Sequence, residues 1–175
     1  MQFLKLLLLS ALVFSSACFS VPRVSVEQQL ARQQRVDALL WQGVLLLRKN
    51  TSESVRLAES SFSSVVEILP SDPRGYDGLA CVKLRFGENE VARDYFREAL
   101  QKDASYEPAY VHLAFLDEME GDFSSAAENY QKALLINPLN HRARFNYAIF
   151  LKDLKKRSAG KEFEKIVLIE SAAKH

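Results

Sequence analysis

Cysteine is scarce in this chain of 175 residues, at two, and histidine is hardly commoner, at three. Two cysteines, Cys18 and Cys81, establish no disulfide framework, although one Cys18–Cys81 bond is chemically open in an oxidising compartment. None of His112, His141 and His175 has a cysteine or carboxylate at a recognised metal-ligand spacing, so no metal site and no cofactor is expected. There is no Gly-rich phosphate loop and no nucleophile elbow, which argues against an enzyme and against a small-molecule substrate. The net charge of +1 offers no broad electrostatic footprint for nucleic acid. Glycine and proline number only six and five and are read as falling between periodic segments rather than inside them. Hydrophobic residues at 48% and charged residues at 26% exclude a disordered chain and describe a folded one.

One apolar run stands out. Leu6 to Phe14 is interrupted only by Ser10, follows Lys5, and is followed by the small residues Ser15, Ser16 and Ala17. This is the layout of a secretory signal peptide, assigned to residues 1–17. The run is shorter than the roughly 20 residues a membrane span needs. Losing it removes Lys5 and leaves acidic and basic residues in balance. Ser15-Ser16-Ala17-Cys18 resembles a bacterial lipobox, although that pattern prefers an aliphatic residue where Ser15 stands. The resemblance implies lipidation of Cys18 and attachment to a membrane; an ordinary signal peptide cut nearby is the other reading. The protein is then expected to be exported, to the periplasm or outer membrane, and not cytoplasmic. Cys81, left without an evident partner, reads as a small core residue at helical spacing.

The chain also repeats itself. Tyr76, Leu79, Ala80, Ala92, Phe96 and Ala99 recur 34 residues later, without a gap, as Tyr110, Leu113, Ala114, Ala126, Tyr130 and Ala133. That period and this alternation of large and small apolar residues predict stacked helix-turn-helix units, with Phe96 and Tyr130 filling space left by Ala80 and Ala114. Gly87 and Gly121 fall between the paired helices, where a left-handed residue ends a helix, and Glu88 and Asp122 follow them at the next N-terminus. Pro70 and Pro138 close repeats; Asp103-Ala104 holds the same phase without proline, so that joint is expected to be less sharply defined.

These residues resemble the tetratricopeptide repeat (TPR) family. The resemblance is gapless over 73–140 and implies an all-α, right-handed superhelical solenoid of about four repeats, spanning 36–72, 73–106, 107–140 and 141–170 within a domain of residues 36–170. In the first repeat, Leu39, Gly43 and Leu46 keep phase with Ala58, Phe62, Val65 and Pro70 only if the Asn50–Ser52 connection is about three residues longer. In the fourth, Ala143, Tyr147, Ala148 and Leu151 match a first helix, and Ala159, Phe163 and Ile166 a second. Residues 18–35 form a tether or a helical extension, and 171–175 a frayed tail. Asn50-Thr51-Ser52 is a glycosylation sequon, but Thr51 or Ser52 as a helix N-cap is the simpler role. The basic run from Lys152 to Arg157 reads as a solvated face at a turn.

In this family the first helices line a groove that accepts extended or helical peptides. Carried over to this chain, the groove positions are Asp77, Cys81 and Arg85 in the second repeat. They are Val111, His112, Phe115 and Glu118 in the third, and Arg142, Phe145, Asn146 and Ile149 in the fourth. The Lys, Asn and Arg set with which some TPR proteins clamp a terminal carboxylate is mostly missing. Val111, Phe115, Phe145 and Ile149 form an apolar stripe suited to an amphipathic segment, or they pack against a neighbouring helix; periodicity alone leaves both open. The partner is expected to be a protein or peptide client. The chain resembles small TPR lipoproteins of the bacterial envelope that help assemble pili or secretion complexes. A soluble periplasmic or secretion chaperone masking an amphipathic segment is the alternative.

Overall fold

Turn chemistry sets the helix boundaries. The computed structural model describes residues 25–157, all of whose regular elements are α-helices: α1 (Val26–Lys49), α2 (Ser52–Ile68), α3 (Pro73–Phe86), α4 (Asn89–Lys102), α5 (Glu107–Glu120), α6 (Phe123–Ile136) and α7 (His141–Arg157). They divide into a short N-terminal unit ending at Gln34 and a main unit beginning at Arg35. In the main unit the architecture is an all-α helical-repeat solenoid. The signal peptide, Cys18, the Ala159–Ile166 match, His175 and the tail lie outside the described residues. No described helix is long and apolar enough to cross a membrane.

Within each repeat the helices meet across two residues. Gly87 and Gly121 stand at φ 76° and 83°, the left-handed region where a side chain is strained. Around Gly87 the Glu88 N–H donates to the Lys83 carbonyl at 3.0 Å and the Gly87 N–H to Leu84 at 3.1 Å, a Schellman closure repeated at Gly121 and Asp122. Asn50, at φ 53°, takes that place in the first repeat. The expected long Asn50–Ser52 connection is therefore corrected: this joint is as short as the others. The three extra residues lie in α2, which has 17 residues where α4 has 14. Thr51 makes the earlier start favourable. Its hydroxyl accepts from the Ser54 N–H at 3.1 Å and the Ser54 hydroxyl accepts from the Thr51 N–H at 3.0 Å, a reciprocal capping box. Thr51→Ala should cost about 1 kcal/mol in urea unfolding.

Successive repeats join across four residues each, Leu69–Asp72, Asp103–Tyr106 and Asn137–Asn140. Each joint is closed by a backbone bond from its last N–H to its first carbonyl, at 3.0 to 3.1 Å. The joint at Asp103 is as well defined as its neighbours, against expectation. The Asp103 carboxylate accepts from the Ser105 N–H at 2.8 Å and from its hydroxyl at 2.6 Å, and this turn substitutes for the missing proline.

The core is a column of knobs. Phe62, Phe96 and Tyr130, each 34 residues after the last, are all buried. Phe96 shares a cluster with Ala80 and Ala109, and Tyr130 with Ala114 and Ala143, so each ring sits between its own first helix and the next one. Phe62 has no alanine across from it. Its ring lies against Gly43 of α1 and Gly78 of α3. This corrects the reading of glycine as a spacer: Gly43, Gly75 and Gly78 are inside helices, because side chains of α2 occupy the space a Cβ needs. A buried ion pair ties α4 to α5, with Arg93 Nη1 2.6 Å from Asp117 Oδ1.

Candidate client-binding face

First helices of successive repeats lie side by side, so residues one repeat apart form columns along their shared face. Two adjoining hollows open there, of about 560 and 580 Å³, with Leu47 and Cys81 common to both. The first is bordered by Asp37, Trp41 and Val44 of α1, Arg74, Asp77 and Gly78 of α3, and Tyr106. The second is bordered by Leu84, Arg85, Val111, His112, Phe115, Met119, Arg142 and Asn146, with Asn89 at its edge.

Most residues read as groove positions come together here. Asp77 and Cys81 border the first hollow; Cys81, Arg85, Val111, His112, Phe115, Arg142 and Asn146 border the second. Val111 is only 3% exposed and packs into the core with Tyr130, so it forms floor rather than contact surface. Glu118, Phe145 and Ile149 border neither hollow. The Glu118 carboxylate accepts from the Tyr130 hydroxyl at 2.6 Å and so anchors a core ring. Phe145 is 66% exposed and Ile149 42%, both on α7. Phe115, 48% exposed, both borders a hollow and faces water, as do Met119 beside it and Trp41 of the first hollow.

Sequence reasoning missed Trp41, Val44, Leu47, Leu84 and Met119. The signal for the α1 residues was phase. With three extra residues assigned to α2, Trp41 falls in the column of Gly78, His112 and Asn146, and Val44 in that of Cys81, Phe115 and Ile149.

A polar chain crosses three helices on this face. His112 Nδ1 is 2.8 Å from Asp77 Oδ1, and its Nε2 is 2.8 Å from Arg142 Nη2. A guanidinium has only donors, so Nε2 accepts and the ring proton sits on Nδ1, where it is donated to Asp77. The imidazole also packs on Phe96, with ring centroids 5.0 Å apart. Arg85 donates to the Asn50 side-chain oxygen at 2.8 Å. Thus Arg85 and Arg142 bond uncharged acceptors and leave the second hollow positive. In the first hollow Arg74 is neutralised by Asp72 at 2.6 Å and Asp37 at 3.0 Å.

Burial, reinforced by the Asp77 carboxylate, pushes the Cys81 thiol well above the ordinary thiol range, so the sulfur stays protonated and is a poor nucleophile. Burial raises the Tyr106 hydroxyl in the same way. Cys81 Sγ, an Asp77 oxygen and a His112 nitrogen nevertheless lie within 4.8 Å of one another, a donor set able to hold a metal ion. Searching the sequence for ligand spacings misses it because His112 arrives from the next repeat.

No protein-family model matches the chain, and no curated protein does. Among solved structures it is similar to MamA, at 22% identity over 80% of this chain and 81% of that one, with a TM-score of 0.55. It is similar to Pseudomonas aeruginosa pilF, at 21% over 78% of this chain and 62% of that one, with a TM-score of 0.62. It is also similar to the first TPR of Spaghetti (RPAP3) bound to the HSP90 peptide SRMEEVD, at 18% over 70% of this chain and 97% of that one, with a TM-score of 0.60. At such identities the likeness is one of architecture: the described helices are paired and stacked as in TPR domains.

Proposed function

We propose that this chain is a non-catalytic adaptor that holds an amphipathic protein segment on the face of its first helices. The observation that carries the reading is Phe115, half exposed at the edge of an apolar hollow whose two arginines bond only uncharged groups. An apolar client side chain would bury against Phe115 and Met119, and an acidic one beside it would meet Arg85 or Arg142. The hollow offers shape and charge, and Cys81, the thiol in it, is protonated, which favours binding over chemistry. One TPR domain of like fold was solved with a bound peptide, which supports a peptide client.

We further propose that the adaptor works in a bacterial cell envelope, exported by residues 1–17 and held at the outer membrane by acyl chains on Cys18. Support comes from the sequence, in the apolar run after Lys5 and the small residues before Cys18. Several acyl chains anchor stably where one binds only marginally. Its clients would be components of pilus or secretion complexes. Mass and detergent partitioning of the mature N-terminus test the anchor; an unmodified, water-soluble protein would instead make it a soluble chaperone. For the face itself, Phe115→Ala should weaken capture of the client recovered from native envelopes by about tenfold, in keeping with loss of an interface anchor, and Phe145→Glu, outside the hollows, should weaken it less. Unfolding stability should move by less than about 0.5 kcal/mol, as for surface sites. A large stability loss with capture unchanged would assign both rings to packing.

A further inference from the structure

Beyond client binding, we propose that Asp77, Cys81 and His112 form a site for a divalent transition-metal ion of borderline softness, Zn²⁺ foremost. Asp77 and Cys81 are four residues apart on α3 and so share one helix face. His112 comes from α5, one repeat on, and its ring is oriented in advance by Phe96 and by the bond to Asp77. Their donor atoms lie within 4.8 Å of one another, and all three residues are partly buried, which sets them apart from a solvated acidic cluster. Tetrahedral bonds of about 2.0–2.3 Å place ligand atoms about 3.3–3.8 Å apart, so closure asks for shifts on the order of 1 Å. Sulfur and imidazole donors select against Mg²⁺ and Ca²⁺, which want oxygen, and suit Zn²⁺. Three protein ligands leave a fourth position for water or a client side chain.

Proton accounting links the ion to the arginine. Cys81 would bind as thiolate and release its proton to solvent. At His112 the ion would replace the Nδ1 proton, which moves to Nε2. Nε2 then becomes a donor facing the Arg142 guanidinium, itself only a donor, so Arg142 must leave. Occupying the site therefore frees Arg142 toward the second hollow, and Arg142 in turn opposes occupation.

Co²⁺ titration of the full chain under a non-chelating reductant tests this. One equivalent should give the near-ultraviolet absorption of thiolate bound to cobalt, and Zn²⁺ should remove it. Cys81→Ser should abolish the band, Asp77→Asn and His112→Gln should weaken binding by about tenfold or more, and Cys18→Ser should leave the band unchanged. Arg142→Gln should act oppositely and tighten binding several-fold. Circular dichroism before metal is added confirms that each variant is folded; should one be unfolded, the native chain, Cys18→Ser and Arg142→Gln still decide. Absence of the band in the native chain, its survival in Cys81→Ser, its loss in Cys18→Ser, or weaker binding in Arg142→Gln would each overturn the proposal.

Discussion

Asp117→Ala should lower the unfolding free energy by about 3–5 kcal/mol, the range for breaking a buried ion pair from one side. The Asp117 side chain is 5% exposed, and its two oxygens are both used: Oδ1 accepts from Arg93 Nη1 at 2.6 Å and Oδ2 from Asn129 Nδ2 at 2.7 Å. One carboxylate thus joins α4, α5 and α6. Burial by itself would make Arg93 give up its proton more readily, but the bonds to Asp117 and Glu120 outweigh that, and the guanidinium ends above its ordinary value. Without Asp117 it keeps only Glu120, at 2.8 Å on a side chain 39% exposed, where water screens the attraction. That residual pair places the expected loss toward the lower end, near 3 kcal/mol. Asp117→Asn, which keeps the shape and one acceptor, should lose less. The measurement is the urea midpoint at unchanged slope. A shift worth under about 1 kcal/mol would show that water reaches this pair.

What the sequence revealed of the fold is what a gapless period can carry. Phe62, Phe96 and Tyr130 could be read as one repeated knob because each recurs after 34 residues, whatever surrounds it. Gly87 and Gly121 could be read as helix ends because their left-handed backbone is a local property. Period alone misplaced the three extra residues between α1 and α2, since a longer loop and a longer helix shift phase equally. The deciding signal was local, in the pairing of Thr51 with Ser54.

The candidate site was legible as single residues and not as contacts. Asp77, His112 and Arg142 were each read as facing the groove, but their chain of bonds joins residues 35 and 30 positions apart. No helical or metal-ligand spacing reports such a pairing, because it depends on how closely first helices of adjacent repeats approach. Position in the column explains His112 further. It occupies in the third repeat the place of Gly78 in the second, and the knob that meets Gly78 as Phe62 meets His112 as Phe96. At Gly78 the ring takes the space of a side chain, whereas at His112 the ring packs beside one, with centroids 5.0 Å apart.

Phe62→Ala should cost about 3–5 kcal/mol, as for other large aromatic truncations in a core, and its partner Gly78 supplies a sharper test. By helix propensity alone Gly78→Ala should stabilise by up to about 1 kcal/mol. A Cβ there would instead run into the Phe62 ring. On its far side the ring already fills the space beside Gly43 of the other helix, where a Cβ would meet its Cζ at 2.6 Å, so it has little room to retreat. Overpacking should therefore win, and Gly78→Ala should destabilise by about 1–3 kcal/mol. In the Phe62→Ala background the obstacle is gone, the propensity term alone remains, and the same substitution should become stabilising. That change of sign is a coupling of about 1–4 kcal/mol, which reaches the upper end for residues in direct contact. Gly43→Ala should follow the same pattern more weakly, since it meets the far edge of the ring. Urea unfolding of the two single variants and the double variant reads it out. If Gly78→Ala stabilises the native chain, the ring is not seated on the glycine, and steric exclusion by Phe62 is not why residues 43 and 78 lack side chains.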